Sequence, residues 1–193
     1  LAYTSIALTP HTDNPYRKPI PCIQLLHCLE NEVKGGLSTL VDGFAVAEYL
    51  RKNHKDLFKI LTEIKVRFRF IDKTTILENW GELIELNENN KVKQVRYSTR
   101  LDYVPALEKN KLEKFYKARK LIANLYASEE FEIRFRLEKG DLLMMDNHRL
   151  LHGRTSYNPL EGKRYLKGCY IDHDSTEGKL RYLERKFGLK WKK

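Results

Sequence analysis

The sequence predicts a mainly β domain with helices, a β-sandwich or barrel carrying a helical insert. Three observations lead there. Short apolar or alternating runs bounded by turn residues stand early and late in the chain. Segments with apolar residues at helical spacing lie between them. No repeat, low-complexity tract or linker divides the 193 residues, a length that suits one domain, 1–193, with a sizeable core.

Taken in order, "AYTSIAL" (2–8) reads as extended, and the chain opens inside what looks like a strand, as a piece of a longer protein would. "CIQLLHCL" (22–29) is a nearly continuous apolar run and reads as a buried strand. "STLVDG" (38–43) is another, after which Asp42 caps a helix over "FAVAEYLRKN" and a second helical stretch runs through "KDLFKILTEI". "KVRFRFI" (65–71) alternates with period two, as a half-buried strand should. "ELIELNENNKVKQVRY" reads as a hairpin turning at "NENNK". The longest helix spans 105–127, with Leu107, Leu112, Phe115, Leu121, Ile122 and Leu125 as its apolar stripe. Strand character resumes in "FEIRFRL", a turn at "EKGD", "LLMMDNHRLLH" and "RYLKGCYID". Asp174 to Glu177 resembles a capping box opening a last helix to about Phe187, whose stripe of Leu180, Leu183 and Phe187 suits either a subunit contact or the chain's own barrel.

Composition narrows the function. Hydrophobic residues are 41% and charged residues 32%, values of a folded globular chain. No apolar run approaches the ~20 residues that cross a bilayer, and no signal-peptide pattern opens the chain. Three cysteines without a CxxC spacing argue against a disulfide framework or structural zinc and fit a reducing, cytoplasmic location. The net charge of +10 is spread along the chain, and the densest cluster, "KFGLKWKK", is short, so a solvated basic surface is favoured over nucleic-acid binding.

Two His-x-Asp pairs occur, His11/Asp13 and His54/Asp56. Residues two apart share a side of an extended chain but diverge by about 200° around a helix. His54 and Asp56 fall at a helix start, whereas "LTPHTDNPYRKP" (8–19) is held away from helix by its prolines, so His11 and Asp13 can converge. A second imidazole would complete a facial triad that leaves positions open on ferrous iron, the arrangement of a non-haem oxygenase. His27, His148, His152 and His173 are available, and His152 has the best surroundings: it ends the apolar run "RLLHGR" next to Gly153. Arg164 follows twelve residues later, after "YNPLEGK". If a hairpin joins the two, Arg164 stands on the neighbouring strand, either gripping a dicarboxylic co-substrate or forming a surface ion pair.

"HTD", "IQLLHCLENEVKGGLSTLVDGFAVAE", "GDLLMMDNHRLLHGR" and "KRYLKGCYID" together resemble the γ-butyrobetaine dioxygenase group of the taurine-dioxygenase-like (TauD/TfdA) Fe(II)/2-oxoglutarate oxygenases, over about Leu1 to Phe187. The resemblance implies a double-stranded β-helix, or jelly roll, missing its N-terminal part. It implies that His11, Asp13 and His152 hold Fe(II), that Arg164 anchors 2-oxoglutarate and that Ser38 lies near that co-substrate. It also implies O2 as oxidant, ascorbate as a supporting reductant, and oxidative decarboxylation to succinate coupled to C–H hydroxylation.

The same resemblance implies a betaine-type substrate, its trimethylammonium held by Tyr3 and Tyr170, with strand-end and core-aromatic roles as the rival readings. Asn14 stands where the group can carry a further aromatic, and Ser98, in the shortened "RYSTRLDYVP", lies nearest to the group's substrate-carboxylate asparagine. γ-Butyrobetaine, yielding carnitine, is the first expectation. An aminoethylphosphonate, trimethylated or not, and trimethyllysine are the alternatives. A homodimer is expected, with no nucleic-acid or membrane partner. The reading from a different class is an inactive jelly-roll fragment with a binding role.

Overall fold

The structure is a computed structural model that describes residues 4–189, so the proposed cage residue Tyr3 lies outside the described residues. In chain order the elements are β1 (Leu8–His11), β2 (Ile23–Asn31), β3 (Ser38–Asp42), α1 (Gly43–Asn53) and α2 (Lys55–Glu63). Next come β4 (Lys65–Ile71), β5 (Ile76–Glu82), β6 (Ile84–Leu86), β7 (Val92–Val95), β8 (Asp102–Tyr103) and α3 (Lys109–Tyr126). The last are β9 (Glu132–Phe135), β10 (Leu142–Asp146), β11 (Leu150–Arg154), β12 (Arg164–Ile171) and α4 (His173–Phe187).

Two antiparallel sheets, β1-β11-β3-β9 and β10-β2-β12, form the sandwich. Everything from α1 to α3 is inserted between β3 and β9. The expected helical insert therefore also carries strands, in the sheets β5-β4-β8 and β6-β7. The core lies largely in this insert. Leu50, Leu61, Phe68, Ile84, Phe115 and Ile122 are buried there against Val41 of β3 and Leu151 of β11. Val41 and Leu151 are cross-strand partners, so one face of the first sheet serves the core. Alternation turns their neighbours Ser38, Leu40, His152 and Arg154 to the other face, which looks toward the second sheet.

Local chemistry explains most boundaries. Asp42 caps α1 as expected, accepting from the N–H groups of Phe44 and Ala45 at 3.0 and 3.3 Å. α3 starts at Lys109, not at Pro105, and buries Phe115, Ala118, Ile122, Leu125 and Tyr126. The 82–97 hairpin forms as read, with Asn90 at φ +57° in its turn.

Three readings are corrected. Of "AYTSIAL", the described residues 4–7 form no strand, and the first strand, β1, begins only at Leu8. "LLMMDNHRLLH" is two strands on different sheets, because the backbone turns at Asn147–Arg149, where the Arg149 N–H donates to the Asp146 carbonyl. α4 begins at His173 after Asp172, and Asp174 accepts only from Ser175 N–H, so no capping box forms at 174–177. Along the α4 stripe Leu180 and Phe187 are exposed and Leu183 is half-buried. Among the described residues no helix is long and apolar enough to cross a membrane.

Candidate metal centre

β1 and β11 pair so that His11 stands opposite His152, with ring centroids 4.5 Å apart. His11 Nδ1 donates to the Thr9 carbonyl at 2.8 Å, which leaves the Nε2 lone pair free for a ligand. Two residues on, Asp13 comes to 3.4 Å from His11 Nε2 through Oδ1 and 3.6 Å from His152 Nε2 through Oδ2. One ligand atom from each of the three lies within 4.8 Å of the others, and no other such group occurs among the described residues.

The corner is built from backbone contacts. Thr12 N–H donates to the Tyr97 carbonyl at 3.0 Å, and Thr12 Oγ1 accepts from Tyr97 N–H at 3.1 Å. Asn147, 1% exposed, accepts from Asp13 N–H at 2.7 Å and donates to the Asp13 and Pro21 carbonyls, each at 2.9 Å. Asn14 follows in the left-handed region at φ +53°, and its Oδ1 accepts from Tyr16 OH at 2.7 Å.

The donor set suits a ferrous ion. Burial, aided by His11, pushes His152 down to about 4, so its ring is neutral near pH 7 and able to ligate. Burial opposes ionisation of Asp13, yet His11, His152 and the Tyr170 hydroxyl hold its carboxyl well below the usual range. Two imidazoles and one carboxylate, with His152 Nδ1 buried and unpartnered, form the donor set of a 2-His-1-carboxylate site.

The other candidates are distributed as follows. Arg164 is not on the strand beside β11. It opens β12 in the opposite sheet and pairs with Asn31, because the 155–163 segment crosses between sheets and makes no hairpin. It lies over the Tyr157 ring at 5.4 Å and donates to the Gly36 carbonyl at 3.1 Å. It makes no ion pair among the described residues, and its Nε is buried without a partner, which removes the surface ion-pair reading. Partial burial, with Arg154 nearby, lowers its pKa, as desolvation of a cation does. Ser38, 6% exposed, opens β3 opposite Arg154 on the His152 face.

Ser98 is 1% exposed, and its hydroxyl accepts from Arg100 N–H at 3.3 Å. The neighbouring Thr99 and Arg100 line a cavity of about 180 Å³ with His11. Tyr170 is 40% exposed and turns its hydroxyl to Asp13 Oδ2 at 2.6 Å. His54 precedes α2 and Asp56 is exposed, so that pair does not converge on a metal. Both line a lysine-rich groove between α2 and α3, in which no metal-ligating cluster occurs among the described residues. His148 and His173 bond to each other at 3.1 Å instead of joining the cluster.

The sequence reading missed Gln24 and Asn147. Gln24 is the single polar residue in "CIQLL", and its Nε2 donates to Asp13 Oδ2 at 2.7 Å. An amide inside an apolar strand was the available signal, since such a group is buried only with a partner. Asn147 sits in a turn, where asparagine is ordinary, so nothing local marked it.

Residues 1–170 match the family described as Taurine catabolism dioxygenase TauD, TfdA family. The chain is 35% identical over 184 residues to gamma-butyrobetaine dioxygenase of Pseudomonas sp. (strain AK-1), covering 95% of this chain and 48% of that protein. It is 35% identical over 196 residues to the Homo sapiens enzyme of the same name, covering 96% and 49%. Its fold resembles a solved asparagine oxygenase in complex with Fe(II), 2S,3S-3-hydroxyasparagine and succinate, at TM-score 0.70 and 18% identity over 86% of this chain and 50% of that one. The chain spans about half the length of the relatives it matches.

Proposed function

The chain belongs to the TauD/TfdA dioxygenase family, and on that premise we propose that it is an Fe(II)- and 2-oxoglutarate-dependent dioxygenase that hydroxylates an aliphatic C–H of a small trimethylammonium compound, γ-butyrobetaine first. The observation that carries this reading is the convergence of His11, Asp13 and His152, beside which the same sandwich holds a half-buried Arg164 with no anionic partner among the described residues. The names of its 35% identical relatives supply the substrate.

In this reading His11, Asp13 and His152 hold Fe(II), which when bound supplies coordination of 2-oxoglutarate and activation of O2 for oxidative decarboxylation to succinate and hydroxylation. The protein's residues position and shield. Arg164 pairs with the distal carboxylate of 2-oxoglutarate, a charge-assisted contact in a half-buried site where such contacts are strong. Tyr157 supports the guanidinium from its ring face, and Ser38 offers a hydroxyl on the same side of β3 as His152. The Tyr170 ring forms one wall for the trimethylammonium, which attracts aromatic faces but donates no hydrogen bond. Asn14 and Ser98 border the substrate at the His11 corner. α4, with exposed Leu180, Tyr182 and Phe187, serves as the contact of a cytoplasmic homodimer.

The test is substrate-dependent succinate release with γ-butyrobetaine, trimethyllysine and aminoethylphosphonates, with and without ascorbate. γ-Butyrobetaine should give the highest turnover. Release driven only by a phosphonate would replace the substrate, and no release with any would remove the activity.

A further inference from the structure

Asp13 is held asymmetrically. Its Oδ2 accepts from Gln24 Nε2 at 2.7 Å and from Tyr170 OH at 2.6 Å. Its Oδ1 faces His11 Nε2 at 3.4 Å, and Oδ2 also lies 3.6 Å from His152 Nε2. The two donors are cross-strand partners, Gln24 on β2 and Tyr170 on β12, so the second sheet presents them side by side to the end of β1. Gln24 is 3% exposed, and its Oε1 is buried without a partner. Flipping the amide would bring that oxygen against the carboxylate and leave the NH2 unpaired, so the orientation follows from charge. Two short, charge-assisted bonds converge on Oδ2.

We propose that Gln24 and Tyr170 are positioning residues that hold the Asp13 carboxylate by Oδ2, leaving Oδ1 alone to bind the metal and so keeping open the coordination position that 2-oxoglutarate needs. The inference rests on His11, Asp13 and His152 being the iron site. Its physical content is simple. A free carboxylate can swing to chelate through both oxygens, and a chelating Asp13 would take a position from the co-substrate. Tethering Oδ2 from two directions prevents the swing. Gln24 suits the task because, unlike a lysine or an arginine, it adds no charge beside the ligand carboxylate. Tyr170 gains a role its ring alone would not have, since its hydroxyl reaches Asp13 Oδ2 at 2.6 Å.

The experiment loads the chain with Co(II) and records its visible ligand-field spectrum and its 2-oxoglutarate affinity, neither of which requires turnover. The variants are Tyr170→Phe, which keeps the ring, and Gln24→Leu/Tyr170→Phe. The proposal expects the double variant to bind Co(II) with an altered spectrum and 2-oxoglutarate at least tenfold more weakly. Tyr170→Phe should be intermediate on both readouts. Wild-type spectra and wild-type 2-oxoglutarate affinity in both variants would overturn it and return Tyr170 to a ring-only role. Complete loss of Co(II) from a variant with a native circular dichroism spectrum would also overturn it, since the pair would then support affinity and not the mode of ligation. If Tyr170→Phe alone folds, the same comparison decides. Absence of Co(II) binding by the wild-type chain would instead remove the iron-site reading beneath it.

Discussion

His11 and His152 face each other across the β1–β11 ladder, their rings 4.5 Å apart and tilted by 42°. The pairing depends on how closely β1 lies to β11, and Gly153 sets that distance. A Cβ at Gly153 would stand 2.5 Å from the Leu8 carbonyl oxygen and 2.7 Å from Thr39 Oγ1, so β1 would have to move. Gly153→Ala should therefore cost about 1–3 kcal/mol, as overpacking does, and weaken metal binding at least tenfold. Calorimetry and Co(II) titration check both. Gly178→Ala in α4, with nothing within 4 Å, should be neutral or stabilising by about 1 kcal/mol.

Arg164 is half-buried and pairs with no anion among the described residues. Arg164→Met should weaken 2-oxoglutarate binding roughly 10–100-fold, the worth of a hydrogen bond to a charged group, while leaving Fe(II) affinity within about twofold. Titrating each separately reads the split. An unchanged 2-oxoglutarate requirement would remove Arg164 as the anchor.

Acid should unlock α1 from β11. Burial raises the Asp42 carboxyl, but the Arg149 hydrogen bond at 2.6 Å and the capped N–H groups outweigh it, and the net shift is downward. A depressed carboxyl stabilises the fold above its unfolded value of 3.8, and that stability is lost as pH falls through the folded value. Urea unfolding across pH 3–7 should show this slope, and Asp42→Asn, which still caps but cannot pair ionically, should flatten it. Asp42→Ala should cost about 1 kcal/mol near pH 7.

Arg119 of α3 holds Asp102 of β8 through both carboxylate oxygens, at 2.6 and 2.8 Å, with the Asp102 side chain 5% exposed. Arg119→Met should destabilise by roughly 3–5 kcal/mol, because a buried carboxylate is left without its cation. Burial already pushes Asp102 up against the pull of Arg119. The variant's folded state therefore binds a proton more readily than its unfolded state, so its loss should be larger at pH 8 than at pH 5. Chemical denaturation at the two pH values tests this.

Where chemistry was local, the sequence was legible. "KVRFRFI" alternates and becomes β4 residue for residue, and Asp42 caps α1 as its position before "FAVAE" implied. β5 was missed because its alternation is inverted: Asn79 is buried, donating to the Pro15 and Arg17 carbonyls, while Ile76 and Trp80 are exposed. The His11–Asp13 corner was readable because prolines and a two-residue spacing determine direction. The placement of Arg164 was not, since twelve residues fit either a hairpin or a crossing between sheets, and only the pairing of β12 with β2 decides. Gln24 and Asn147 act over gaps of 11 and 134 residues from Asp13, and no local pattern encodes such contacts.

The most direct measurement is equilibrium Fe(II) binding under anaerobic conditions by the wild-type chain and by His152→Ala, both shown to be folded. The account predicts one ion per wild-type chain and at least a hundredfold loss in the variant. His152→Ala binding iron with the wild-type stoichiometry and affinity would contradict it.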